Sequence, residues 1–146
     1  MGKTVTTEFA CMDPSPTLDP WNSAHTPGGS SSGSAVGVAA RIFPAALGSQ
    51  TAGSVLRPAS YNGIVGMKPT FGRISRYGVF PVAHTLDTVG FFTRTVADAG
   101  KLLSVLSRPD DKDPITTHAS TINYRQQDLV CSVSQKKHSI IIFIRK

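Results

Sequence analysis

Thr26-Pro27-Gly28-Gly29-Ser30-Ser31-Ser32-Gly33-Ser34 and Gly48-Ser49-Gln50-Thr51-Ala52-Gly53-Ser54 are the two stretches on which the reading of this chain turns. The first has the composition of a flexible linker, yet it leads directly into residues 35–41, a small-residue apolar stretch of helical length. Residues 43–47 then read as a short buried strand, with the second stretch as the loop beyond it. Such a strand-to-loop junction is where α/β proteins place their chemistry. Two serine-bearing glycine loops offer backbone N–H groups and hydroxyls with little side-chain bulk in the way. That suits an anion: a phosphate at a helix N-terminus, or the oxyanion of a tetrahedral intermediate. Neither G-x-x-x-x-G-K-[ST] nor G-x-G-x-x-G is present in the first loop, which favours acyl transfer over nucleotide binding.

Outward from these loops, residues 1–27 are polar and punctuated by Pro14, Pro16, Pro20 and Pro27, which favour extended and turn conformations. Residues 54–61 read as a short helix with Pro58 near its first turn and Asn62-Gly63 as its stop. Residues 64–67 are a second strand candidate. Residues 70–92 mix glycines, aromatics and turn signals and are expected to be irregular structure over the site. A helix follows from Thr95: Thr95 and Asp98 have capping-box spacing, Val96, Leu102, Leu103 and Leu106 form an apolar face, and Pro109 ends it. Beyond Asp110 the pattern degrades until Ser139-Ile140-Ile141-Ile142-Phe143-Ile144, which reads as a buried strand or an aggregation-prone run.

With 146 residues, 40% of them hydrophobic and 16% charged, the chain has the length of one domain and enough apolar side chains to bury a core. No run approaches the ~18 to 20 apolar residues of a membrane span, and no apolar segment of a signal peptide follows Met1, so a cytoplasmic setting without membrane contact is expected. Cys11 and Cys131 suggest no disulfide framework, and no Cys/His cluster has metal-ligand spacing. The net charge of +6 is concentrated in residues 125–146, where Arg125, Lys136, Lys137, Arg145 and Lys146 face only Asp128. No recognition-helix pattern accompanies it, so direct nucleic-acid binding is not expected.

Taken together, the two loops, Gly48-Ser49-Gln50-Thr51-Ala52-Gly53-Ser54-Val55-Leu56-Arg57-Pro58-Ala59 and Gly63-Ile64-Val65-Gly66-Met67-Lys68-Pro69-Thr70 closely resemble the amidase signature family. The resemblance runs from about Gly2 to Leu106 and includes Asp19-Pro20-Trp21-Asn22 and Gly72-Arg73-Ile74-Ser75-Arg76-Tyr77-Gly78. It implies an α/β fold with a central mixed β-sheet flanked by helices, and hydrolysis of amide bonds, or transfer of the released ammonia, by a Ser-cisSer-Lys triad without metal or cofactor. The match places Ser54 as nucleophile and Ser30 as bridging serine, with Ser31 and Ser32 as neighbouring alternatives for the bridge. A serine hydroxyl needs a base to remove its proton, and by the resemblance that base is a lysine acting through Ser30. The N–H groups of Thr51, Ala52, Gly53 and Ser54 are the oxyanion-hole candidates; Ala52 stands where many members have glycine. Gln50, at a position often acidic in relatives, and Arg57 are candidates for substrate binding, Arg57 equally for holding local structure.

The chain also departs from the family. The catalytic lysine is expected well upstream of the bridging serine, whereas here only Lys3 precedes Ser30, and Lys68 follows the nucleophile within its own motif. Members are several times longer, and similarity fades after about Asp113. The expectation is an internal fragment: residues 1–113 as a partial amidase-signature domain and 114–146 as a divergent tail. His25, His84, His118 and His138 read as surface or structural histidines, and Lys68 and Asp87 as ion-pair or capping residues. The expected function is amide hydrolysis through an acyl-Ser54 intermediate acting on a small-molecule amide. The rivals are a catalytically inactive fragment and the amidase component of a tRNA-dependent amidotransferase, which would require partner subunits.

Overall fold

The computed structural model describes residues 17–116 and 141–142. Three α-helices, a short 3-10 helix (Pro114–Thr116) and four strands form along them: α1 (Ser32–Ala39), β1 (Ala45–Gln50), α2 (Leu56–Tyr61), β2 (Val65–Met67), β3 (Thr88–Thr93), α3 (Val96–Leu106) and β4 (Ile141–Ile142). The strands form one sheet in the order β1-β3-β2-β4. β3 runs antiparallel to both β1 and β2, whereas β4 is parallel to β2, so the sheet is mixed.

Side-chain alternation along the strands builds two cores. Val65, Met67, Val89 and Phe91 meet Ile74 and, from α3, Ala99 and Leu103. Phe92 meets Ala35, Val38 and Ala39 of α1, Val55 ahead of α2, Ala59 of α2, and Ile64. The helices therefore cover both faces of the sheet, α1 and α2 on one and α3 on the other. This is the expected α/β architecture with a central mixed β-sheet flanked by helices.

β3 departs from expectation. Residues 88–92 fall at the end of the stretch read as irregular, yet with Thr93 they form an inner strand that is buried at every position. A strand covered on both faces loses the polar alternation that advertises a strand, and Gly90 further disguises it. That glycine is required by close approach: a Cβ there would lie 2.4 Å from the Met67 carbonyl oxygen. The first strand is also shifted, to Ala45–Gln50 from the expected 43–47, because α1 closes at Ala39, before the end of its apolar stretch, and a turn follows it. Arg41 takes a left-handed φ of 62°. The Ile42 N–H donates to the Gly37 carbonyl at 2.8 Å and the Arg41 N–H to Val38 at 3.2 Å, a Schellman closure that places Phe43 and Pro44 in the turn.

The helix expected from Thr95 forms as Val96–Leu106. Of the terminal apolar run, Ile141 and Ile142 pair with Gly66 and Met67. Residues 117–140 and 143–146, with most of the expected tail, and Lys3, Cys11, Cys131, His118 and His138 lie outside the described residues.

Candidate active site

The two loops meet at the α1–β1–α2 face of the sheet. Gly28 enters the first with φ +72°, a conformation that side chains disfavour. The next peptide bond but one, Gly29–Ser30, is cis. Asn62, fully buried, anchors this entry by donating from Nδ2 to the carbonyls of Pro27 and Pro58, both at 2.8 Å. The Trp21 indole N–H donates to the Asn62 carbonyl at 3.0 Å. At the exit, Ser34 Oγ donates to the Leu47 carbonyl at 2.8 Å, which fastens the start of α1 to β1.

Two direct links join the loops. The Ser31 N–H donates to the Ser54 carbonyl at 3.1 Å. Arg57 donates from Nε and Nη2 to the Gly29 carbonyl at 3.1 and 2.9 Å, so its planar guanidinium holds the carbonyl of the cis peptide. Ser30 and Ser54 thus lie on segments tied together at neighbouring backbone positions. Ser31 Oγ reaches towards the Ser49 carbonyl at 3.5 Å, and Ser32 is fully buried at the first position of α1.

Gln50 shapes the second loop from beneath. Its side chain is buried, with Oε1 accepting from the N–H groups of Val55 and Leu56, each at 2.9 Å, and Nε2 donating to the Ala52 carbonyl at 2.8 Å. The amide is spent at both ends on the loop itself. This arrangement consumes the first N–H groups of α2 and leaves those of Ala52, Gly53 and Ser54 outside both the sheet and the clasp. None of the three residues carries a bulky side chain over this backbone.

Beyond the loop, Thr51 Oγ1 donates to Asp87 Oδ1. Asp87 Oδ2 accepts from the N–H groups of Val82 and Ala83 at 2.7 and 2.9 Å. Arg76 donates to the carbonyls of His84 and Asp87 and lies over the Phe71 ring. A cavity of about 230 Å³ opens here, walled by Arg76, Tyr77, Val79, Pro81, His84, Asp87, Lys112 and Asp113. Neither Ser30 nor Ser54 lines it; Asp87 is its connection to the second loop. The Asp87 contact and the Asn62 anchor join residues 36 and 35 positions apart, and no local pattern announces either.

Among the described residues no group of three or more His, Cys, Asp or Glu side chains is placed to hold a metal ion, and no helix is long and apolar enough to cross a membrane.

The fold and these loops define an α/β protein of the serine-bearing, glycine-loop kind. The Amidase family model matches residues 1–139, and the chain belongs to that amidase-signature family. It is 47% identical over 125 residues to the A subunit of glutamyl-tRNA(Gln) amidotransferase from Synechococcus sp. (strain CC9311), covering 86% of this chain and 25% of that one. Its fold superposes on the A subunit of glutamyl-tRNA(Gln) amidotransferase from Thermotoga maritima with a TM-score of 0.73 at 41% identity, covering 82% of this chain and 26% of the other. The native peptide amidase of Stenotrophomonas maltophilia gives a TM-score of 0.67 at 42% identity, covering 72% and 22%. The chain therefore spans about a quarter of the length of these relatives.

Proposed function

We propose that this chain carries the acyl-forming serine of an amidohydrolase. Ser54 Oγ adds to the carbonyl carbon of an amide while its proton passes to Ser30, the bridge to the base. The N–H groups of Thr51, Ala52, Gly53 and Ser54 hold the oxyanion. The C–N bond then breaks, ammonia or an amine leaves with the proton, and water cleaves the acyl ester to restore Ser54. The observation that carries this reading is the joining of the cis Gly29–Ser30 segment to the Ser54 loop through Ser31 N–H and Arg57. Ser31 is the weaker candidate for the bridge because its hydroxyl reaches towards the Ser49 carbonyl, and Ser32 because it is fully buried at the first position of α1. Arg57 serves in this scheme to hold the bridge, and Gln50 to shape the oxyanion loop.

The base is the missing part. Lys3 is the only lysine before Ser30, and Lys68 points its Nζ at the Pro69 carbonyl 3.4 Å away. We read the 146 residues by themselves as unable to activate Ser54 at neutral pH, in a protein that works in the cytoplasm. The test is labelling of the purified chain by a fluorophosphonate from neutral to strongly alkaline pH, with folding followed by circular dichroism. Slow labelling that rises with pH, as hydroxide replaces the base, and vanishes in Ser54→Ala is expected. Rapid labelling of Ser54 at neutral pH would overturn the absence of a base. A folded chain that stays unlabelled throughout, or is labelled equally after Ser54→Ala, would overturn Ser54 as the nucleophile.

A second reading is favoured by the relatives that are A subunits of glutamyl-tRNA(Gln) amidotransferase. In it the parent protein releases ammonia from an amide for use by a partner protein. Faster ammonia release in the presence of such a partner would separate this reading from a free-standing amidase.

A further inference from the structure

We propose that Asp87 is a positioning residue for the oxyanion loop, acting through the hydroxyl of Thr51; this rests on the reading of residues 51–54 as that loop. β1 and β3 pair in register from Ala45↔Thr93 to Gln50↔Thr88. Thr51 and Asp87 are the residues immediately beyond the last pair, where the backbone ladder no longer constrains the chain. Side chains continue the connection: Thr51 Oγ1 donates to Asp87 Oδ1.

The two ends of this link differ in rigidity. Asp87 is only 5% exposed and leads into a strand buried at every position. Its Oδ2 is fixed by the Val82 and Ala83 N–H groups, and its carbonyl by Arg76 Nη1 at 3.2 Å. Thr51 instead opens a loop of small residues, in which Ala52 is exposed and Gly53 and Ser54 are half-buried. Asp87, with its carboxylate held by two backbone N–H groups and its carbonyl by Arg76, therefore acts as the fixed point, and the loop as the part being fixed. Gln50 clasps the far end of the same loop at Val55 and Leu56. Residues 52–54 are then suspended between two anchors, and removing either one frees the N–H groups to turn away from the oxygen they would meet.

The test is nuclear magnetic resonance of the full 146-residue chain. Thr51→Val keeps the shape of the side chain and removes the hydroxyl, whereas Thr51→Ser keeps the hydroxyl. In Thr51→Val the Ala52, Gly53 and Ser54 amide resonances are expected to move, and their order parameters to fall from the ~0.85 of rigid backbone towards ~0.6, while β3 and α3 resonances stay in place. Asp87→Ala should reproduce this and Thr51→Ser restore the parental spectrum. If Asp87→Ala fails to fold, the Val and Ser pair decides alone. In the alkaline fluorophosphonate assay, Thr51→Val should lower the maximal labelling rate of Ser54 by about ten- to a hundredfold, with the half-saturating probe concentration unchanged. Unmoved 52–54 amides in Thr51→Val overturn the role of Asp87, whatever Ser54 does. Amides that move in a chain whose Ser54 never labels leave Asp87 as the loop's anchor and sink Ser54 as the nucleophile.

Discussion

Gln50 shows how one side chain sets a local conformation. The second loop must turn from the end of β1 into α2, and the first N–H groups of any helix lack partners within it. Gln50 Oε1 accepts from two of them, those of Val55 and Leu56, in a buried setting where an unmet donor costs about 1 to 3 kcal/mol. Gln50→Met, similar in volume but without an acceptor, should therefore destabilise the chain by about 2 to 4 kcal/mol, read as a lower urea midpoint with an unchanged slope. The resemblance offers Gln50 as a substrate-binding candidate; that its amide faces the loop backbone is a tertiary fact the sequence does not show. Arg57 is a parallel case, for its two bonds to the Gly29 carbonyl span 28 positions. By contrast, Ser30 and Ser54 stand out in the sequence because their glycine-rich surroundings are local.

Among the elements, α3 was legible and β3 was not, for opposite reasons. The signals of α3 are near in sequence. Thr95 Oγ1 accepts from the Asp98 N–H at 3.1 Å and donates to Asp98 Oδ2 at 2.6 Å, and Ala99 and Leu103 supply the buried stripe. Thr95→Ala should cost about 1 kcal/mol, measurable by urea denaturation. The Thr95 hydroxyl, and secondarily Lys101, hold the Asp98 carboxyl below its ordinary value of 3.8; the Ser75 hydroxyl and the Lys112 N–H do the same for Asp110. For a carboxylate whose folded pKa is depressed, the stabilisation is present above the unfolded value and is lost as pH falls through the folded one. The chain should therefore lose stability as the pH drops below 3.8. Asp98→Asn and Asp110→Asn should each flatten that decline in acid urea titrations. β3, in contrast, takes its identity from what lies on either side of it. Without α1, α2 and α3 to cover both faces, Thr-Val-Gly-Phe-Phe-Thr carries no pattern that separates a strand from a turn.

For the molecule as a whole, β1 is the end strand of the sheet, and among the described residues its outer edge has no strand partner. α3 packs over β3 and β2, which leaves Leu47 of β1 43% exposed, near Ile42 at 68% and Phe43 at 47%. An apolar edge of this kind invites pairing with another chain. The isolated 146 residues should therefore associate as concentration rises, and Leu47→Lys should suppress light scattering without lowering the urea midpoint. By itself the sequence determined the family, the α/β class and the two serine-bearing glycine loops, because each is written in contiguous motifs whose backbone demands are local. Only the tertiary structure decided that residues 88–93 form an inner strand and that Arg57 and Gln50 brace the loops. It alone placed Asp87 against Thr51. Those assignments depend on groups far apart in the chain, and a hydrogen bond across 36 positions exists only once the sheet has brought its ends together.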